Sequence, residues 1–289
     1  MKHTTKILTA VVVCISIVLY FLYDAFFAAP RIVRLRTETL SSEKIPTSMD
    51  ETSILYFSDL EYGTFMNDKR LNDLIDKIND NDPDIILFGG DIFDTGYDPD
   101  EKTTAKLTKA FDSLLAPLGK FAVYGDDDSS SEEMRHKVDT IYSGSDFEVL
   151  ENKSVALRAR SNGSITLVGL DNMVNGNPDI NAAYSSVSHS NYVITMCHTP
   201  DTADQVPQDL TDLFLAGHSH GGQAYWLFGA LYTPPGAESH LRGRSTVNEH
   251  VTLDITNGVG TTGKDVRFLS DAEIVMYKLH AVKNDKKNK

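Results

Sequence analysis

The sequence predicts an α/β fold, and two patterns in its N-terminal half lead to that prediction. Apolar runs typical of buried strands occur at residues 54–57, 85–90 and 121–125. Between them, apolar residues recur at helical spacing over residues 71–78 and again over residues 107–115. The resulting β-α-β-α-β order predicts parallel strands joined by crossover helices.

The rest of the chain is richer in short strands. A third helix is predicted over residues 131–141, where a serine cluster precedes two glutamates. Two packed sheets with helices outside fit this pattern, and the chain length suits one large domain or two small ones. The further predicted strands are residues 147–150, 154–157, 165–168, 193–197, 213–217, 251–255, 266–268 and 273–279.

The N-terminus is predicted to be a membrane anchor. Residues 7–23 contain no charged side chain, and the apolar character continues to Ala29 apart from Asp24. This stretch is long enough to cross a bilayer and longer than the core of a typical signal peptide. A cleaved signal and a buried helix are the alternatives. We expect a transmembrane anchor at residues 1–29, a domain at residues 30–282 and a Lys-rich tail at residues 283–289.

Basic residues lie on both sides of the predicted anchor, so the charge distribution does not indicate its orientation. Lys2 and Lys6 precede the apolar stretch, while Arg31, Arg34 and Arg36 follow it. A short N-terminal tail ahead of a large domain favours export of the domain. We therefore expect a single-pass protein of the cell membrane with an extracytoplasmic domain.

The net charge of −14 bears on the partners of the protein. An acidic chain of this kind argues against a nucleic-acid partner, which requires basic patches. It does not exclude a phosphate-containing substrate, because bound metal ions can reverse the local field. Nothing in the sequence predicts an oligomeric state.

Side chains of the types that bind metal ions follow five of the predicted strands. The ends of buried strands in an α/β sheet converge on one edge, where ligands bind. Carboxylates and imidazoles gathered there are what a pair of divalent metal ions needs, so a two-metal hydrolase is the leading hypothesis. These side chains belong to Asp59, Glu61, Asp91, Asp126, His198, His218 and His220.

Each of these residues also has a simpler explanation. An aspartate after a strand can cap a helix or close a turn, and a His-x-His segment can be a solvated hairpin. The run Asp126-Asp127-Asp128 is harder to explain in this way, because three adjacent carboxylates repel one another unless a cation is bound. The joint pattern over five strand ends favours the metal site.

The order of these motifs resembles that of the calcineurin-like metallophosphoesterases. Their pattern runs D-x-H, G-D-x-x-D, G-N-H-[DE], H and G-H-x-H. The resemblance covers residues 31–279, and the glycine-rich segments around residues 221–223 and 258–261 look like the membrane-anchored bacterial branch. In this chain the five motifs are Asp59-x-Glu61, Gly90-Asp91-x-x-Asp94, Gly125-Asp126-Asp127-Asp128, His198 and Gly217-His218-x-His220.

The resemblance implies a four-layer αββα sandwich of two mixed sheets with two metal ions at the strand ends. Asp91 would bridge the ions, which would clamp a phosphate ester and activate a bridging water or hydroxide. One ion would be held by Asp59, Glu61, Asp91 and His220, and the other by Asp91, Asp126, His198 and His218.

Two motifs depart from the family pattern. Glu61 stands in place of a histidine ligand, so the site would have four carboxylates instead of two. Oxygen-rich sites favour Mn²⁺, with Mg²⁺, Ca²⁺, Fe or Zn²⁺ as alternatives. Asp126-Asp127 stands in place of Asn-His, and that histidine is the implied proton donor to the leaving group. Asp127 replaces it only if it stays protonated; otherwise substrates with good leaving groups, such as pyrophosphates, are favoured.

Together these inferences predict hydrolysis of a phosphate ester or pyrophosphate bond in a small-molecule, lipid-linked or cell-envelope substrate. Asp91 and Asp127 are the predicted catalytic residues. Arg242 and Arg244 are candidates for phosphate contact, with a solvated loop as the alternative. A scaffold or sensor that binds metal without turnover is the second hypothesis for the whole protein, and a structural domain without metal is the third.

Overall fold

The computed structural model describes residues 2–159, 163–226, 228–230 and 233–283. The helices are α1 (Lys2–Tyr23), α2 (Asp68–Asn79), α3 (Glu101–Asp112), α4 (Glu132–Ser143) and α5 (Ile180–Tyr184). The strands are β1 (Arg34–Ser42), β2 (Ser53–Phe57), β3 (Ile85–Phe88), β4 (Lys120–Ala122), β5 (Phe147–Val149), β6 (Lys153–Leu157), β7 (Ile165–Gly169), β8 (Val193–Met196), β9 (Leu213–Ala216), β10 (Tyr225–Trp226), β11 (Gly229–Ala230), β12 (Gly243–Val247), β13 (Val251–Ile255) and β14 (Glu273–Ala281).

The first sheet has the strand order β1-β14-β2-β3-β4-β5. Strands β2 to β5 are parallel, which confirms the predicted β-α-β-α-β unit with α2 and α3 as crossovers. The second helical pattern was predicted to reach Leu115, but α3 ends at Asp112 and Leu115 is exposed. Pro117 explains the early end, because proline and the residue before it disfavour helical backbone.

The second sheet has the order β12-β13-β9-β8-β7-β6. Its four central strands are parallel, and the edge strands β6 and β12 are antiparallel to their neighbours. Both sheets are therefore mixed, and the carboxyl ends of the parallel strands in each sheet lead into the predicted metal-binding motifs.

Alternation along the strands separates three apolar layers. In β2, Leu55 and Phe57 pack among residues of α2, α3 and α4, whereas Ile54 and Tyr56 face residues of the second sheet. The outer face of the second sheet packs under α5, with Phe214 among its buried residues. The order of layers is helix, sheet, sheet, helix, which confirms the predicted αββα sandwich.

Four strands were missed, namely β1, β10, β11 and β12, and one predicted strand is absent. The polar sequences of β1 and β12 gave no strand signal, although β1 pairs along its whole length with β14. Residues 266–268 form no strand, and only Phe268 makes an isolated bridge, with Ala224. The physical reason is Arg267, whose fully buried side chain donates to carbonyl oxygens of the surrounding loop instead of facing one side of a sheet.

Helix α1 continues through a π-helical turn, so that one apolar helical stretch runs from His3 to Ala28. It is long enough to cross a membrane, and its side chains are exposed along most of its length. Its C-terminal end contacts the domain, because the Arg267 amide donates to the Ala25 carbonyl oxygen at 3.0 Å. Of the predicted tail, residues 284–289 lie outside the described residues.

Candidate metal centre

The ends of β2, β3, β4, β8 and β9 bring the seven predicted side chains together in two adjacent groups. Within each group the ligand atoms all lie within 4.8 Å of one another. Six of the seven residues are buried, and Asp126 is partly exposed. One group is Asp59, Glu61 and His220, and the other is Asp91, Asp126, His198 and His218.

The backbone of this site is unusual. Five of the proposed ligands have the left-handed backbone conformation that side chains with a Cβ rarely adopt. Such conformations persist only where surrounding contacts enforce them, and they concentrate at functional sites. The residues and their φ angles are Asp59 (56°), Glu61 (54°), Asp91 (59°), His218 (68°) and His220 (49°).

Glycines allow the loops after β3 and β4 to touch. A Cβ on Gly125 would lie 1.9 Å from Asp91 Oδ1, which leaves no room for any side chain there. Gly90, with a φ of 97°, has the Gly125 backbone nitrogen 2.3 Å from where its own Cβ would be. The two loops therefore pack backbone to backbone, and this contact sets the position of Asp91.

Asp128 fastens the same two loops, a role that the sequence did not predict. Its fully buried carboxylate accepts hydrogen bonds from the backbone N–H groups of Asp91 (2.9 Å), Ile92 (3.0 Å) and Gly125 (2.9 Å). In the sequence Asp128 was only the last of three consecutive aspartates. No pattern distinguished the one that points inward, because that depends on where the neighbouring loop lies.

Two histidines are oriented by backbone carbonyl groups. His198 Nδ1 lies 2.7 Å from the Gly89 oxygen, so Nδ1–H donates there and Nε2 presents its lone pair to the site. His218 Nε2 lies 2.7 Å from the Pro235 oxygen, which leaves Nδ1 facing the site. In each ring the other nitrogen faces the site, where it is placed to bind a metal ion.

These nitrogens point at carboxylates. His198 Nε2 lies 2.9 Å from Asp91 Oδ2 and 3.2 Å from Asp126 Oδ1, and His218 Nδ1 lies 2.9 Å from the same Asp126 oxygen. In the other group, His220 Nε2 is 3.3 Å from Glu61 Oε1. Because carboxylate oxygens accept but do not donate hydrogen bonds, a site with so many of them leaves buried atoms without hydrogen-bond partners.

Among the described residues, the buried side-chain atoms without a hydrogen-bond partner are concentrated in this site. Leaving such atoms unpaired is unfavourable by about 1–3 kcal/mol each, and more for charged groups. A bound cation removes that penalty, so the donor set fits divalent metal ions. The atoms in question are Asp59 Oδ2, Glu61 Oε2, Asp126 Oδ1, His198 Nε2 and His220 Nδ1.

The pKa values of the carboxyl groups reflect how many carboxylates are buried close together in the site. Burial, together with neighbouring carboxylates, raises the pKa of Glu61 and of Asp91 well above the usual range. Burial and the charges of Asp126 and Asp128 raise the pKa of Asp127 to about 6, against a lowering hydrogen bond from Thr95. The pKa of Asp126 is lowered, since contacts with the two histidines outweigh its burial.

A cavity of about 730 Å³ opens over both groups of ligands. Asp127 lines it, and its Oδ2 accepts a hydrogen bond from the Thr95 hydroxyl at 2.5 Å. Asp91, Asp127 and Glu61 also form a third close set of carboxylates. Two of the positions that depart from the implied family pattern, 61 and 127, therefore meet at the cavity.

The predicted phosphate contacts of two arginines are not supported by their positions. Arg244 lies in β12 and donates to Glu38 Oε2 at 2.8 Å, and the Arg242 guanidinium lies 4.4 Å from the Tyr225 ring centre. Neither residue lines the cavity; its described basic lining residue outside the histidines is Lys264. No sequence motif had marked Lys264.

Comparison with known proteins agrees with the motifs. The family model described as calcineurin-like phosphoesterase matches residues 52–222. The chain is 30% identical over 259 residues to the uncharacterized metallophosphoesterase YkuE of Bacillus subtilis, covering 88% of each chain. It is 28% identical to the phosphodiesterase YaeI of Escherichia coli, over 72% of this chain and 75% of the relative.

The name of another relative describes it as a transmembrane protein. The transmembrane protein with metallophosphoesterase domain of Danio rerio is 25% identical over 80% of this chain. The chain spans only 54% of that protein's length.

Proposed function

Because the chain belongs to the calcineurin-like phosphoesterase family, and is therefore a metal-dependent phosphoester hydrolase, we propose that it works with two metal ions at the membrane surface. Its reaction would be hydrolysis of a phosphate ester or pyrophosphate bond in a lipid-linked or cell-envelope substrate. The observation that carries the proposal is the pair of buried donor groups with unpartnered atoms. Asp59, Glu61, Asp91 and His220 would hold one ion, and Asp91, Asp126, His198 and His218 the other.

Metal ions bound there would supply a Lewis acid for a phosphoryl oxygen and lower the pKa of an attacking water. The residues of the chain provide the fixed frame for that chemistry. The Gly89 and Pro235 carbonyl oxygens hold the imidazoles of His198 and His218 in orientation, and Asp128 holds Asp91. Four carboxylates among seven ligands favour Mn²⁺ over a softer ion such as Zn²⁺.

We assign Asp127 the transfer of a proton to the leaving-group oxygen. It lines the cavity beside both ligand groups, and burial raises its pKa, which favours the protonated carboxyl group that a general acid requires. Thr95 fixes one of its oxygens, so the other is available to the substrate. Lys264 at the rim provides a positive charge for a phosphate.

Membrane anchoring is the basis for the proposed substrate class. The apolar helical stretch His3–Ala28 supports an anchor at residues 1–29. The catalytic domain would then be residues 30–282, which we place on the extracytoplasmic side because a short N-terminal tail ahead of a large domain favours its export. An anchor of this kind keeps the cavity within reach of phosphate groups at the bilayer surface.

The test uses the full-length protein in detergent micelles. Bound metal is measured by mass spectrometry, and turnover is measured with an activated aryl phosphodiester and with a pyrophosphate diester in the presence of Mn²⁺. Asp91→Asn should lose bound metal and turnover. Asp73→Asn, an exposed aspartate on α2 that pairs with Lys69, is the matched control and should keep both.

Other outcomes select the alternatives. Stoichiometric metal without turnover of either substrate would indicate a scaffold or sensor at the cell envelope, the function that the two altered motifs suggest. Absence of bound metal would indicate a structural domain.

A further inference from the structure

The short hairpin made by β10 and β11 presents aromatic side chains to solvent. Trp226 is 48% exposed, and Phe228, at 94%, is the most exposed large apolar side chain among the described residues. Exposed aromatic clusters on a soluble surface are unfavourable and mark sites of interaction. The occupant of this surface follows from what lies next to it.

The hairpin is continuous with the end of the anchor helix. The Trp226 ring centre lies 5.3 Å from that of Phe268, and Phe268 lies 5.9 Å from Phe21 near the C-terminal end of α1. The Arg267 amide also donates to the Ala25 carbonyl oxygen. The aromatic side chains of the hairpin therefore stand at the level where the apolar helix ends.

The residues that lead into the hairpin, Gln223 and Ala224, form part of the cavity wall. Tyr225 N–H donates to the Phe268 oxygen at 2.8 Å, and Phe268 N–H donates to the Gln223 oxygen at 3.0 Å. The Gln223 side chain then bonds the carbonyl oxygens of Thr262 and Lys264, and all three of these residues line the cavity. A short series of hydrogen bonds therefore links the exposed aromatic side chains to the cavity over the proposed metal site.

We propose that Trp226 and Phe228 insert into the interfacial zone of the bilayer beside the anchor, so that the cavity opens against the membrane surface. The occupant is a phospholipid bilayer, because the ends of membrane-spanning helices lie in the zone where tryptophan and other aromatic residues are enriched. The inference rests on the proposed membrane anchoring. It adds that the substrate enters from the lipid surface with its phosphate at the depth of the headgroups.

Trp226 is the single tryptophan of the chain, so its fluorescence reports on this site alone. The full-length protein is reconstituted into phosphatidylglycerol–phosphatidylcholine vesicles. We expect blue-shifted emission that lipids brominated near the headgroup end of the acyl chains quench strongly and aqueous iodide quenches weakly. Quenching by iodide but not by the brominated lipids would overturn the proposal.

Protein concentration tests a second occupant. An emission shift that depends on the protein-to-lipid ratio, without quenching by brominated lipids, would mean that another copy of the chain covers the hairpin. That result would also overturn the proposal.

A substitution in the hairpin tests whether its contact with the membrane contributes to substrate access. Two aryl phosphodiesters are compared, one water-soluble and one carrying a long alkyl chain that partitions into the vesicles. Phe228→Ser should lower turnover of the partitioned ester several-fold and leave turnover of the soluble ester unchanged. Leu115→Ser, which alters an exposed leucine in the loop after α3, is the control and should change neither.

The two proposals fail in different ways. If the unmodified protein hydrolyses neither ester but brominated lipids still quench Trp226, the proposed function is refuted and the proposed membrane contact is supported. Equal turnover of the partitioned ester by the Phe228→Ser variant and the unmodified protein would refute a role of the contact in substrate access.

Discussion

Glu61 occupies the position where the resemblance to the family implies a histidine ligand. Its buried carboxylate lies 3.3 Å from His220 and shares a group with Asp59, where the family pattern has an imidazole. Replacing a nitrogen donor with an oxygen donor makes a site harder and shifts its preference from Zn²⁺ toward Mn²⁺ or Mg²⁺. The identity of the bound ion should therefore depend on this one side chain.

Glu61→His tests this dependence. We expect the ratio of Zn²⁺ to Mn²⁺ retained after dialysis against a mixture of both to rise by about tenfold or more, a free-energy difference of about 1.4 kcal/mol. Mass spectrometry of the dialysed protein gives the ratio. Glu101→His, on the exposed face of α3, is the control, and an unchanged ratio in Glu61→His would contradict the argument.

Asp127 is the second departure at the residue scale, and its role can be separated by leaving group. If it donates a proton, Asp127→Asn should slow esters of weakly acidic alcohols by about 10²–10⁴ and activated aryl esters far less. The measurement is kcat/KM over a series of phosphodiesters with leaving groups of increasing pKa. An equal decrease across the series would mean that Asp127 positions the substrate and donates no proton.

At the scale of elements, the site depends on two loops that must stay in contact. The loops after β3 and β4 meet at Gly90 and Gly125, and the Asp128 carboxylate closes the contact with three backbone N–H donors. Hydrogen bonds to a charged, buried acceptor are stronger than those to a neutral one. Charge on Asp128 should thus contribute to both stability and the placement of Asp91.

Asp128→Asn keeps the shape and removes the charge. We expect a loss of about 1–3 kcal/mol in the free energy of unfolding, because an amide nitrogen replaces one acceptor oxygen. Urea unfolding measures this loss, and metal content should fall with it. Asp179→Asn is the control: Asp179 caps α5 through the Ala182 amide, and asparagine caps equally well.

The elements that the sequence predicted are those with a strong local signal. The helical spacing of Leu71, Leu74 and Ile75 and the apolar runs of β2, β3 and β9 were sufficient because burial of one face dictates them. Strand β1 escaped prediction because it is an edge strand with polar side chains, and only its partner β14 makes it a strand.

The same distinction between local signals and long-range contacts applies to the site. The seven ligand-type side chains were predictable from their positions after strands, whereas their orientation was not. Carbonyl oxygens of Gly89 and Pro235 and the inward carboxylate of Asp128 orient them through long-range contacts that no local pattern encodes. The left-handed backbone at five of these residues likewise results from the loops packing together.

At the scale of the whole molecule, burial of several carboxylates in one place couples folding to metal binding. The chain carries a net charge of −14, and a cluster of acidic groups lies between the strand ends of the two sheets. Because the metal-bound site does not exist in the unfolded chain, metal binding stabilises the folded state. At a free Mn²⁺ concentration 100-fold above Kd, the gain should be about 2.7 kcal/mol per ion.

The pH dependence of this gain follows from the raised pKa values of Glu61 and Asp91. In the metal-free protein these groups favour the folded state below their unfolded pKa of about 4, and that contribution is lost as pH rises through their folded values. Metal ions bind the charged forms, so the stability gained from Mn²⁺ should increase with pH. Urea unfolding with Mn²⁺ and with a chelator, at about pH 5.5 and about pH 7.5, gives both gains.

Asp91→Asn completes this comparison, because it removes the carboxylate that is proposed to hold both ions. The variant should unfold at the same urea concentration with and without Mn²⁺ at either pH. In chelator it should equal or exceed the unmodified protein at the higher pH, since one buried charge is gone. A Mn²⁺ gain that is constant or falls with pH in the unmodified protein would show that the ions bind elsewhere on its acidic surface.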